Sequence, residues 1–223
     1  GKVALVESAA SARNVVAKLE GSDPVLKHQY VAIGAHNDHN PVESMAVDHD
    51  SLRSYNGEVE KLKEALGLGT TPTPRLLAAS MVNVDSIRVI RRPRPDSIAN
   101  GADDDGSGTV TVAEVAEAFA AAKVRPRRSL FFVWHTGEEL GLLGSDFFTR
   151  HPVVPLDSVV AQLNLDMVGR GAAGDLKGGG PGYLQLVGTR RLSTELGDLV
   201  ESVNKRQKAP FTFDYAFDAN GHP

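Results

Sequence analysis

Four short segments of the chain carry side chains that can hold metal ions or move protons. Each closely follows an apolar run or is framed by glycine. They are Gly34-Ala35-His36-Asn37-Asp38, Asn100-Gly101-Ala102-Asp103-Asp104-Asp105-Gly106-Ser107-Gly108, Thr136-Gly137-Glu138-Glu139-Leu140-Gly141 and Gln162-Leu163-Asn164-Leu165-Asp166-Met167. Together they offer one histidine and several carboxylates, a donor set suited to a pair of hard-to-borderline divalent ions. A structural zinc is usually closed by cysteine, and the chain has 0 Cys, so a catalytic metal pair is the better reading.

Taken singly, each segment has a plainer reading. His36 and Asp38 follow an apolar strand, where open α/β sheets place their sites, but His-x-Asp alone also suits a surface turn. A ligating imidazole uses one ring nitrogen and needs a partner to orient the other. Asp103, Asp104 and Asp105 repel one another, and the glycines around them let the backbone turn sharply into a helix. An acidic helix-capping loop would look similar. A calcium loop fails, because Val112 falls where a bidentate glutamate is required. A dinucleotide fingerprint fails for want of its third glycine. Glu138 and Glu139 sit at a strand-to-helix turn, so one can bind metal while the other faces water; both also suit a helix N-terminus. Asp166 ends an apolar run, where a charge needs a compensating partner. A buried ion pair serves as well as a metal there.

These side chains need a scaffold that brings strand ends together. Short runs rich in Val, Ile, Phe and Leu occur at Asn14–Leu19, Tyr30–Ala35, Ser129–Trp134, Val159–Leu165 and Tyr183–Val187. They show little polar alternation, as expected of strands buried on both faces. Helix-like segments alternate with them at Gly108–Lys123, Leu140–Arg150 and Leu192–Arg206. The pattern predicts an α/β fold of three layers, a mostly parallel twisted mixed sheet between helices. Residues 40–98 break the rhythm and read as a helical insertion. Leu52, Tyr55, Val59, Leu62 and Leu66 form one helical stripe, with Asp50 or Ser51 to cap its start and Gly67 or Gly69 to end it. Arg75–Ile90 reads as a second helix. Arg91-Arg92-Pro93-Arg94-Pro95 reads as an exposed extended linker.

The composition narrows the class. A length of 223 residues fits one domain, and 41% hydrophobic content with a net charge of −4 describes a globular chain. The mildly acidic balance argues against nucleic acid as the main partner. No apolar stretch approaches the ~20 residues of a membrane span. No signal peptide opens the chain, and Gly1-Lys2-Val3 reads like the interior of a longer protein.

From about Asn14 to Asp166 the ordered set of motifs resembles the co-catalytic zinc aminopeptidases, which include bacterial leucyl aminopeptidases and glutamate carboxypeptidase. The resemblance rests on Gly-Ala-His-x-Asp, Gly-Ala-Asp-Asp-Asp-Gly-Ser-Gly, Gly-Glu-Glu-x-Gly-Leu-x-Gly-Ser and Leu-Asp-Met. It implies two zinc ions. His36 and Asp166 would serve one, Glu139 the other, and Asp104 would bridge them. Asp38 would orient His36, and Glu138 would be the general base. It also implies a cis peptide bond between Asp104 and Asp105. Asp104, Glu139, Asp166 and one hydroxide would balance the charge of the two ions.

The family's remaining ligand, a histidine near its C-terminus, has no match. His222 sits in Asn220-Gly221-His222-Pro223 and is read as a different residue. The expectation is therefore a single metallopeptidase domain over residues 1–223 that is incomplete at its C-terminus, with the Glu139 site short of one donor. The implied function is an exopeptidase that removes N-terminal residues from peptides. The resemblance also implies export to the periplasm or the extracellular space. A carboxypeptidase or amidohydrolase on the same scaffold is the alternative within enzymes. An inactive metal-binding interaction domain is the alternative outside them. The presence of Glu138, which simple binding does not need, favours an enzyme. Oligomeric state and the preferred N-terminal residue are not encoded in these motifs.

Overall fold

A computed structural model of the chain describes residues 12–40, 46–66, 85–90, 92–170 and 179–218. The chain divides into two compact units, Gly1–Asp166 and Met167–Pro223.

The first unit is built on a four-stranded sheet of β1 (Val15–Leu19), β2 (Tyr30–His36), β5 (Ser129–His135) and β6 (Val159–Asn164), in the order β1-β5-β2-β6. Strand β2 runs parallel to both β5 and β6, and β1 runs antiparallel to β5. This is the mixed, mostly parallel α/β sheet expected. The apolar runs of β2 and β5 are explained by their central positions. Alternate residues serve opposite faces. Ile33, Ala35, Leu130 and Phe132 form one buried layer with Val112. Tyr30, Ala32, Phe131 and Val133 form the other, against which Phe148 packs.

Helix α3 (Gly106–Ala121) supplies Val112, Val115, Ala116 and Phe119 to the first layer, and α4 (Leu143–Arg150) supplies Phe148 to the second. Helices therefore cover both faces. Truncating Phe132, which is 3% exposed, to alanine would cost about 3–5 kcal/mol. Strand β6 departs from expectation. Among the described residues it is an edge of this sheet, as β1 is, and Val15, Val160 and Leu163 are exposed rather than buried on both faces.

The stretch read as an insertion contains a second, small antiparallel sheet. Its strands are β3 (Val47–Asp48) and β4 (Pro95–Asp96). Helix α1 (His49–Leu66) follows β3, and α2 (Asp85–Ile90) precedes β4. The cap of α1 is Asp48 rather than Asp50 or Ser51: its carboxylate accepts from the Ser51 amide at 3.3 Å and hydroxyl at 2.5 Å. The Arg-Pro segment is not a free linker at its end. Arg94 holds the buried Asp50 at 2.8 Å, its amide donates to Asp48, and Arg88 also pairs with Asp48. Residues 75–84 of the second predicted helix, and the proposed stop at Gly67 or Gly69, lie outside the described residues.

The second unit pairs β7 (Tyr183–Gln185) with β8 (Thr212–Asp214) in parallel. The helix expected over Leu192–Arg206 is α6 (Thr194–Lys205), and a separate short helix, α5 (Thr189–Leu192), precedes it. Ser193 is extended, and its hydroxyl accepts from the Leu196 amide at 3.1 Å, so it caps α6 instead of continuing a helix. Arg190 bonds Glu201 at 2.7 Å and Asp198 at 2.9 Å, and the Tyr215 hydroxyl donates to Glu201 at 2.7 Å.

Candidate metal centre

The first unit gathers the four motifs at the carboxyl ends of β2, β5 and β6. His36 is the last residue of β2 and is 2% exposed. Its Nδ1 donates to the backbone carbonyl of Asp38 at 2.9 Å, which leaves the lone pair of Nε2 directed inward. That Nε2 stands 3.1 Å from Asp104 Oδ1, 3.8 Å from Asp166 Oδ2 and 3.9 Å from Glu138 Oε2. It is buried and makes no hydrogen bond. A buried ring nitrogen of this tautomer, ringed by carboxylates, is the arrangement that a metal ion completes.

The acidic loop reaches this point because of how α3 starts. Asp105 is 2% exposed, and its carboxylate accepts from the amides of His36 and Gly108, each at 3.0 Å. It thus caps α3 and ties the helix to the end of β2 at once. Asp105 also lies close enough to be grouped with His36 and Asp166 as a candidate cluster. Both its oxygens accept backbone amides, so Asp104, facing Nε2, is the better donor. The Asp104–Asp105 peptide bond is cis. Gly108 allows α3 to meet the end of β6: a Cβ there would lie 2.2 Å from the Leu165 carbonyl oxygen. Thr109 and Trp134 complete the seam. The Thr109 hydroxyl donates to the His36 carbonyl at 2.7 Å, and the Trp134 indole N–H donates to the Thr109 carbonyl at 3.1 Å.

Glu138 and Glu139 follow β5 through Gly137, whose φ of +68° suits glycine. The turn is held from two sides. Asn14 accepts from the Thr136 amide at 3.1 Å and donates to the Gly144 carbonyl at 2.7 Å. The Asp38 carboxylate accepts the amides of Glu138 at 3.0 Å and Glu139 at 3.3 Å. Asp38 therefore meets His36 mainly through its carbonyl, its carboxylate standing 3.7 Å from Nδ1, and uses that carboxylate to fix the glutamate turn. Helix α4 begins at Leu143 rather than Leu140, since Gly141 and Leu142 both have positive φ.

The electrostatics follow from crowding. Burial raises the Glu138 pKa above the usual carboxylate range; His36 opposes this, and Asp166, Glu139 and Asp104 add to it. Asp166 is raised in the same way, by burial first, although its side chain is less buried than the end of an apolar strand suggested. Burial lowers His36, but Asp105, Asp166, the Asp38 carbonyl and Glu138 outweigh it and leave the pKa raised. Carboxylates packed this closely call for a cation.

A second group was not singled out by the sequence. His39, Asp104 and Glu139 offer donor atoms within 4.8 Å of one another. The signal for His39 lay in Asn37-Asp38-His39, a second histidine three residues beyond the first. His222 lies outside the described residues.

Fold and site together define an α/β domain with a histidine–carboxylate cluster at its strand ends. Residues 74–221 match the model of Peptidase family M28, and the chain belongs to that family. His36, Asp38 and His39 precede the matched stretch. The chain is 39% identical over 77 residues to leupeptin-inactivating enzyme 1 of Streptomyces exfoliatus, covering 33% of this chain and 18% of that protein. It is 38% identical over 86 residues to a probable leucine aminopeptidase of Arthroderma otae, covering 37% of this chain and 24% of that protein. A vacuolar membrane protease of Phaeosphaeria nodorum is 34% identical over 93 residues, 41% of this chain and 9% of that protein. The chain spans less than a quarter of the length of each of these relatives.

Proposed function

We propose that this chain carries the catalytic centre of a metal-dependent aminopeptidase, with His36, Asp104 and Asp166 as donors to one divalent ion and Asp104 and Glu139 as donors to a second. The observation that carries the reading is the buried, unbonded Nε2 of His36 facing three carboxylates. Membership of Peptidase family M28 and the aminopeptidase relative support it. Zinc fits the donor set of imidazole and carboxylate without thiolate. When bound, such a pair of ions acidifies water and polarises a carbonyl.

The chain's own groups supply the rest. Asp38 and Gly137 aim the Glu138 carboxylate into the cluster beside His36. A carboxylate in that position can accept a proton from water and later return it to the departing amine. Asp105 and Thr109 hold β2 and α3 together so that His36 and Asp104 keep their relation. A peptide is the substrate class. The family match crosses both compact units, which supports one peptidase domain over residues 1–223; the reading of residues 40–98 as an insertion rests on the break in the sequence pattern. A location outside the cytosol is in keeping with the vacuolar name of one relative; export to the periplasm or the extracellular space rests on the family resemblance alone. No helix among the described residues is long and apolar enough to cross a membrane.

The test is a panel of aminoacyl, N-acetylated and C-terminally free peptide substrates, assayed with metal-stripped and zinc-restored chain. Cleavage only of substrates with a free N-terminus, lost on stripping and regained with zinc, is expected. Preference for a free C-terminus would favour the carboxypeptidase reading. No cleavage of any substrate by zinc-loaded chain would favour a binding domain.

A further inference from the structure

His39 is left unused by the reading above, although the fold places it with care. We propose that His39 is a ligand of the second divalent ion, bonding through Nδ1 beside Asp104 and Glu139; this rests on the metal-centre reading and adds a third protein donor to it. Nδ1 stands 2.7 Å from Glu139 Oε1 and 4.0 Å from Asp104 Oδ1. Ligand atoms bonded at about 2.0–2.2 Å to one tetrahedral ion lie roughly 3.3–3.6 Å apart, and the two separations straddle that range. Nδ1 is also buried without a hydrogen bond, despite its closeness to Glu139. It is the second ring nitrogen of this cluster with that property, after His36 Nε2.

The backbone delivers the ring to this point. The Asp38 carboxylate is fixed to the amides of Glu138 and Glu139, so the next residue must lie beside Glu139. Asn40 Nδ2 then donates to Glu139 Oε1 at 3.4 Å. Gly101 supplies the space: a Cβ there would lie 2.8 Å from His39 Cβ and 2.9 Å from His39 Cγ. Asp104 Oδ1 lies 3.1 Å from His36 Nε2 and 4.0 Å from His39 Nδ1, so the carboxylate expected to bridge two ions stands between two imidazoles.

The competing role for His39 is a protonated partner of Glu139, with no bond to metal. The two are separated by loading the metal-stripped chain, labelled with ¹⁵N-histidine, with ¹¹³Cd and reading nitrogen–cadmium coupling. Coupling at two ring nitrogens, His36 Nε2 and His39 Nδ1, is expected, and the His39 signal must vanish in His39→Asn. Zinc titration of His39→Asn should show one site unchanged and the other weakened at least ~100-fold, more than loss of an outer-shell partner produces. Coupling at His36 alone, or a second coupled histidine that survives in His39→Asn, would overturn the role of His39 and leave the metal centre standing. Absence of cadmium coupling at His36 as well would overturn both.

Discussion

Replacing Gly108 by alanine should damage both stability and metal binding, although the residue carries no chemistry. The added Cβ would lie 2.2 Å from the Leu165 carbonyl oxygen and 2.4 Å and 2.7 Å from the carboxylate oxygens of Asp105. The first contact is to backbone, so no side-chain rotation removes it. Helix α3 must move away from the end of β6 by roughly an ångström, and overpacking of this kind costs about 1–3 kcal/mol. The same shift weakens the Asp105 cap of α3, worth about 1 kcal/mol. Alanine's better helix propensity returns little in the first turn, so a net loss of about 2–3 kcal/mol is expected. With a urea slope of about 2 kcal/mol per molar, the midpoint should fall by roughly 1 M.

Gly57 provides the control. It lies inside α1, and a Cβ there would meet nothing within 4 Å. Gly57→Ala should therefore stabilise by about 0.5–1 kcal/mol. Gly108→Ala should also lower zinc affinity, because Asp105 holds the His36 amide and Leu165 adjoins Asp166. Urea unfolding and zinc titration of both variants give the comparison. A Gly108→Ala chain as stable as the parent, with normal zinc affinity, would refute the argument that this close approach assembles the site.

Other substitutions probe separate parts of the account. Glu138→Gln should lower turnover by about 10²–10⁴-fold while zinc content, measured by elemental analysis, stays near that of the parent. Asp38→Ala removes the acceptor shared by the Glu138 and Glu139 amides and should cost about 1–3 kcal/mol in urea unfolding, with a fall in turnover larger than any change in zinc content. In the second unit, Arg190 and Tyr215 hold Glu201 down to about 2. A lowered acid contributes stability that is fully present above its ordinary value near ~4.3 and disappears as pH falls through the folded value. The stability gap between parent and Glu201→Gln, read by denaturation at several pH values, should thus be constant from neutrality to about pH 5 and close as pH approaches about 2.

The parts of the fold that were legible in sequence are those where burial alone sets the pattern. β2 and β5 are central strands covered on both faces, so they read as continuous apolar runs. β1 and β6 read the same way in sequence but are, among the described residues, the edges of the sheet, and an apolar run does not say how many neighbours a strand has. The late start of α4 depends on positive φ at Leu142, which leucine does not announce. The start of α6 was available in principle, since serine before Thr194-Glu195 is a good cap. Arg94 read as a solvated linker residue because its partner, Asp50, lies 44 residues away. The acidic and glutamate motifs were legible because their glycines mark the turns. His39 was missed because the family resemblance directs attention to His36 and Asp38. Only the folded turn shows the next histidine beside Glu139.

The most direct test of the central claim is anomalous X-ray diffraction from crystals of the chain grown with zinc, measured on both sides of the zinc absorption edge. The account predicts an anomalous peak bonded to His36 Nε2, Asp104 and Asp166, and a second peak on the Glu139 side of Asp104. Zinc elsewhere on the surface, with the His36–Asp104–Asp166 cluster free of anomalous density at saturating zinc, would contradict it.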